Sequence, residues 1–312
     1  MRDALGRLLE FPLLLQVQAP ATGRPGVPEP GAEPLGEPVP WQLWHQTPAT
    51  PVMERLDAFH WLLLVIMVAI CLFVVALMAY TVWRYHEKRN PVPSRTSHNT
   101  LLEVAWTVVP VLILVVIAIP SFRSLYYMDR TPEVIDMTMK ITGRQWYWDF
   151  EYPDHGGLQF SSYIVPDDQL PEGGRRLLEV DNRAIVPVGA TIQLIITGGD
   201  VLHAMAMPSL AIKRDAVPGR LNESWMRIDR AGVYYGQCSE ICGTGHGYMP
   251  MVIEAVEPER FAAWVNQKRA DAGLAPVDVA TAVSPLARPA AEAPAQTAEA
   301  PSAQTDSAAG KD

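Results

Sequence analysis

The chain has 312 residues, 49% of them hydrophobic, with 34 acidic against 25 basic side chains and a net charge of −9. That length holds one or two domains plus tails, and the acidic balance argues against nucleic acid as a partner and for a basic one. With 3 cysteines there is no disulfide framework, and no C-x-x-C-H is present for covalent haem attachment.

Residues 1–52 form the first segment. Arg2 and Arg7 precede a short apolar stretch, Phe11 to Leu15, which Gln16 and Gln18 interrupt. This is a weak signal peptide or part of a tail, because a signal core needs 7–15 apolar residues. From Pro20 to Pro51 the chain is dense in Pro, Gly and Glu without periodicity, the composition of a disordered or extended stretch.

Residues 53–125 are expected to be a transmembrane helical hairpin, with spans at about 60–83 and 102–122. Trp61 to Tyr80 is free of charge, and twenty such residues at 1.5 Å each match a hydrocarbon core of ~30 Å. Trp61, Tyr80 and Trp83 sit at its ends as interfacial anchors. Val104 to Phe122 is the second span, and Pro110 and Pro120 within it are tolerated where neighbouring helices complete the backbone bonding. The loop between the spans carries Arg84, Lys88, Arg89 and Arg95 against Glu87 alone, which reads as cytoplasmic and puts both termini outside. Glu103 stands at the cytoplasmic mouth of the second span. Cys71, inside the first span, is expected to be a packed small hydrophobe.

From residue 130 to 257 the period changes to two. Val134 to Ile141 alternates, as does Thr191 to Ile196, and Gly, Pro and Asn-Asp turns separate the runs. Such spacing predicts a sandwich or barrel. Residues 258–268 read as a short helix with Phe261, Trp264 and Val265 on one side. Residues 269–312 are rich in Ala and Pro and are expected to be a free tail.

The chemistry concentrates in Gly236 to Pro250, where the spacing is C-x3-C-x3-H-x2-M: Cys238, Cys242, His246 and Met249. His203 lies upstream. Thiolate, imidazole and thioether donors suit copper or zinc and argue against magnesium or calcium at these atoms. Two Cys, two His and one Met exceed what one small metal takes. With both thiolates bridging, the set serves two coppers, each with one His and one weak donor. A Cys2His2 zinc site and a Cys238–Cys242 disulfide are the other readings, and neither gives Met249 a purpose.

This loop resembles the copper-binding loop of cytochrome c oxidase subunit II, C-S-E-[LI]-C-G-x-x-H-x-x-M-P, with each fixed position present. The resemblance extends through Asp200-Val201-Leu202-His203, Asp215 to Arg220, Gln145-Trp146-Tyr147-Trp148 and both spans. It implies a cupredoxin-like Greek-key barrel after the hairpin. It implies that Cys238 and Cys242 bridge two coppers, that His203 and His246 are terminal ligands, and that Met249 and the Glu240 carbonyl are weak ones. The Glu240 carboxylate is then expected on a magnesium shared with the catalytic subunit. Trp146 becomes the electron entry point from cytochrome c, Glu103 a residue near a proton-channel mouth, and Glu151, Asp181 and Asp200 the docking acids. Gly156-Gly157 departs from relatives that carry acids there. Trp148 fits barrel core equally well.

The implied function is that of the electron-entry subunit of an aa3-type cytochrome c oxidase in a bacterial inner membrane, with the copper domain periplasmic. Electrons pass to the haem-containing catalytic subunit I, beside subunit III, for reduction of dioxygen to water coupled to proton pumping. A membrane-anchored copper-delivery module is the competing class. Delivery needs an open, exchangeable site, and a closed ligand set beside Trp146 counts against it.

Overall fold

The computed structural model describes residues 35–286; the weak-signal stretch at 1–34 and the tail from 287 lie outside the described residues. Two long helices come first, α1 (Pro51–Arg84) and α2 (Thr100–Asp129). Both are longer than the expected spans, because capping rather than hydropathy sets their ends. The Thr50 hydroxyl accepts from the Met53 N–H and donates to the Leu210 carbonyl, so it starts α1 and ties it to the β-domain. Asn99 caps α2 through the Leu102 N–H, and Glu103 accepts from the Asn99 N–H at 3.3 Å. Both helices are long and apolar enough to cross a membrane, and their apolar windows bury nothing within the chain. Cys71 is accordingly exposed on α1 rather than packed. The end of the hairpin away from the basic loop is fastened to the β-domain by an Asp129–Arg214 ion pair and by Tyr127, whose ring meets Trp225 edge-on.

Ten strands follow: β1 (Met137–Arg144), β2 (Tyr147–Tyr152), β3 (Leu158–Ser162), β4 (Ala184–Pro187), β5 (Thr191–Gly198), β6 (His203–Met207), β7 (Ile212–Ala216), β8 (Asn222–Arg227), β9 (Gly232–Cys238) and β10 (Pro250–Val256). They form two five-stranded sheets, ordered β3-β2-β1-β5-β8 and β4-β10-β9-β6-β7. The pairs β1–β5 and β4–β10 are parallel and the rest antiparallel. An isolated bridge joins Gly198, the last residue of β5, to Pro218, just beyond β7 of the other sheet. The period-two pattern has a direct outcome: Met137, Met139 and Ile141 from β1 and Ile192, Leu194 and Ile196 from β5 all turn inward against Met205, Met207, Met251 and Ile253 of the other sheet.

Two segments are more ordered than their composition suggests. Residues 35–50 run extended over the β-domain as a strap: Gly36 accepts from the Tyr235 N–H, Glu37 pairs with Arg175, and Ala49 bonds Ser209 and Asp229. At the other end, α3 (Pro258–Asp271) seats Phe261 and Val265 in the core, and α4 (Val279–Val283) folds back beside it. Residues 269–286 are therefore not the free tail that their composition predicts. The Asn266 side chain bonds both backbone groups of Val277, His155 bonds the Ala282 carbonyl, and Ser284 bonds Asp136. Polar side chains make these contacts, so an apolar-pattern reading passes over them.

Candidate metal centre

The thiol of Cys238 ends strand β9, and His203 opens β6, the neighbouring strand of the same sheet. After Cys238 the chain leaves the sheet and loops through Cys242 and His246 to Met249, then re-enters it as β10. Gly243 turns the loop at φ +114, a conformation that L side chains rarely adopt.

The donors form a row. His203 Nδ1 lies 3.9 Å from Cys238 Sγ, which lies 3.9 Å from Cys242 Sγ. Cys242 Sγ in turn lies 3.6 Å from His246 Nδ1 and 3.4 Å from Met249 Sδ. The Cys238 thiol donates to the Glu240 carbonyl at 3.3 Å. His203, Cys238 and Cys242 are buried, with one ligand atom from each falling within 4.8 Å of the others. The cysteines are free, and their sulfurs are well beyond the ~2.05 Å of a disulfide. All six expected donor groups thus converge, with one imidazole at each end of a thiol pair.

Electrostatics fit a cation in this position. Burial pushes the Cys242 thiol up to about 12, and the adjacent Cys238 adds to the shift. Two neighbouring buried thiolates require positive charge between them. Asp200 answers at the imidazole side. Burial alone would raise its carboxyl, but hydrogen bonds from His203 Nε2 and from the Gln145 and Val201 N–H groups outweigh it and hold Asp200 below the usual carboxylate range. A carboxylate on Nε2 leaves Nδ1 free to face the thiols.

Trp146 lies in the turn between β1 and β2, 37% exposed, with its indole N–H on the Cys242 carbonyl at 3.2 Å. The Gln145 side-chain amide donates to the same oxygen at 2.8 Å. A Cβ at Gly245 would collide with the Trp146 ring, so that glycine lets the indole lie on the loop. Trp148 is fully buried and donates to the Met249 carbonyl at 3.1 Å. The two indoles thus reach the metal loop from the surface and from the core.

The remaining expected residues are dispersed. Asp200 is beside Trp146 through Gln145, but both its oxygens already accept bonds. Asp181 is exposed, accepts from the Tyr163 N–H at 2.7 Å, and joins the entry region through the Tyr163–Tyr147 stack at 4.5 Å. Glu151 pairs with Lys140 at 2.8 Å. Glu103 is in the first turn of α2, at the opposite end from Asp129 and the β-domain, about 40 Å of helix away. Sequence reasoning gave Gln145 no role beyond its place in the Gln145–Trp148 motif and passed over Gly143, placed where a Cβ would come within 2.9 Å of His203 Cβ and Cγ.

Fold and site together define a membrane-anchored β-sandwich with a sulfur- and imidazole-lined metal loop, the form of a respiratory electron-transfer subunit. Residues 137–256 match the family model for the periplasmic domain of cytochrome c oxidase subunit II, and residues 38–124 match that for its transmembrane domain. A probable cytochrome c oxidase subunit 2 of Rickettsia felis is 52% identical over 232 residues, 74% of this chain and 73% of that one. Cytochrome c oxidase subunit 2 of Oenothera berteroana is 49% identical over 232 residues, 73% of this chain and 90% of that one. The crystal structure of the periplasmic domain of subunit II (CoxB) of Bradyrhizobium japonicum is 46% identical, covers 46% of this chain and 99% of that one, and gives a TM-score of 0.42. The chain belongs to the cytochrome c oxidase subunit II family and is a membrane-embedded subunit of that haem–copper oxidase.

Proposed function

We propose that this chain is the electron-entry subunit of an aa3-type oxidase, receiving electrons from cytochrome c at a centre of two coppers and passing them to the haem-containing subunit I. The observation that carries this is the row His203, Cys238, Cys242, His246, flanked by the Glu240 carbonyl and Met249. A single tetrahedral zinc uses four donors and leaves the thioether without a role. Two coppers held by these residues would supply a one-electron couple whose charge change is shared between the metals.

The protein's own residues hold that couple in place. His203, Cys238, Cys242 and Met249 are buried, so water is kept off the donors. Asp200 orients His203, and Gln145 and Trp146 hold the Cys242 carbonyl. Burial of these four ligand residues favours relay over delivery, which needs an exchangeable site. Trp146 is both solvent-exposed and bonded to a ligand residue, the property an entry point needs.

On the rim of the loop, Ile241 and Tyr248 are exposed at 75% and 56%. They offer an apolar seat for subunit I, with the half-buried Glu240 placed to share a magnesium there. Subunit III and lipid cover the helical hairpin in this reading. The basic loop after α1 sets the β-domain and both termini on the periplasmic side of a bacterial inner membrane. Glu103, on the cytoplasmic side, then lies near a proton-channel mouth of the partner that couples dioxygen reduction to pumping.

Metal analysis and EPR of the purified full-length chain after copper loading test the proposal. Two coppers per chain sharing one unpaired electron are expected. One copper with a mononuclear spectrum, or zinc alone, overturns it and favours a copper-handling module.

A further inference from the structure

Two strand residues of the first sheet, Gly143 on β1 and Trp148 on β2, are directly paired across the ladder. Neither carries a donor for a metal, yet both touch residues that do. Gly143 lies beneath the His203 ring, where any side chain would come within 2.9 Å of its Cβ and Cγ. Trp148 has no exposed surface, faces the His203 ring edge-on at 6.0 Å between centroids, and donates its indole N–H to the Met249 carbonyl at 3.1 Å. His203 and Met249 flank the second sheet's β6 and β10, so this pair is a bench against which two ligand residues from the other sheet are set.

We propose that Trp148 is a positioning residue for Met249, fixing the main chain that carries the thioether and thereby tuning the potential of the centre. The proposal rests on the two-copper reading above. Its physical basis is specific. A weak donor tunes the potential of a copper site, so the setting of the Met249 backbone would bear on the potential more than on whether metal is held. Met249 is between the loop's last turn and Pro250, and Pro250 opens β10 with no N–H of its own. The Trp148 bond is the one that the Met249 carbonyl accepts from a side chain among the described residues. An indole N–H left unpaired in the core would itself be destabilising, so folding of the domain favours this bond.

The test is a double-mutant cycle in the intact oxidase, read by copper stoichiometry, EPR and midpoint potential. Trp148→Phe keeps an aromatic ring and removes the donor; it should retain two coppers and shift the midpoint in the same direction as Met249→Leu, by a smaller amount. In a Met249→Leu background the same change should add no shift, because coupling vanishes when the residue acted upon is gone. An unshifted midpoint in Trp148→Phe, or an equal shift in both backgrounds, overturns the assignment. If Trp148→Phe fails to fold, benzothienylalanine at position 148 keeps the indole shape without the N–H, and the same two outcomes decide. A wild-type centre without the two-copper signature instead overturns the reading on which the proposal rests.

Discussion

The two halves of the metal loop are built by different means. The His203–Cys238 half is made of strand ends: β6 pairs with β9 in register Met205 to Cys238, and His203 faces Ala216 across β6 and β7. Its imidazole is fully buried and held by Asp200. The Cys242–His246 half hangs between β9 and β10 without ladder partners, His246 is only half-buried, and side chains from the β1–β2 turn, Gln145 and Trp146, hold its backbone. The strand half is thus fixed by ladder pairing together with one side-chain partner, Asp200. The loop half is fixed by what is laid over it, and the exposed indole lies on this half.

If the thiols bridge, this asymmetry must vanish when either is removed. Cys238→Ser and Cys242→Ser should each lose the two-copper signature completely, by metal analysis and EPR. A single well-held copper surviving in Cys242→Ser alone would mean that the strand half is a site in its own right. The next largest effect falls on the strand half. Asp200→Ala frees His203 Nε2 and should weaken copper binding by about 10- to 100-fold, the usual cost of removing a partner from a ligating imidazole. Asp200→Asn, which keeps an acceptor oxygen, should recover part of it. Unchanged affinity in Asp200→Ala would show that strand geometry alone orients the ring. Gln145→Ala loosens only the loop half: copper content should stay near wild type while the rate of electron entry from cytochrome c falls. Loss of metal in Gln145→Ala would reverse the ranking of the halves.

The same asymmetry governs what could be read from sequence. The donors were legible because soft ligands at fixed spacing within fifteen residues have few other uses, and His203 because Asp200-Val201-Leu202-His203 recurs in the family. The hairpin was legible from hydropathy, although the first helix starts at its Thr50 cap, well before the apolar run, and the second continues to Asp129, beyond it. The clamps were not legible. Gln145, Gly143 and the Trp148 N–H act through carbonyls and close approaches between residues far apart in the chain, 101 positions for Trp148 and Met249, and no local pattern encodes such a pairing. For the same reason a Pro-rich strap and an Ala-rich C-terminal segment, weak in apolar content, are held by Glu37–Arg175, Asn266–Val277 and Ser284–Asp136.

The smallest expected effect concerns encounter rather than the centre itself. Asp181 is exposed and connects to Trp146 only through Tyr163 and Tyr147. Asp181→Asn removes one charge but keeps an acceptor for the Tyr163 N–H, so the stack should persist. The second-order rate with a basic cytochrome c should fall roughly twofold at low salt, since a rim charge acts mainly on the association rate. Near 1 M salt, where the Debye length is about 3 Å, the difference should disappear. Glu151→Gln should do less at any salt, because Lys140 already pairs with that carboxylate at 2.8 Å. A deficit in Asp181→Asn that persists at high salt cannot be steering. It would assign Asp181 to the Tyr163–Tyr147 stack and hence to the setting of Trp146, making the loop half depend on a clamp one layer further out.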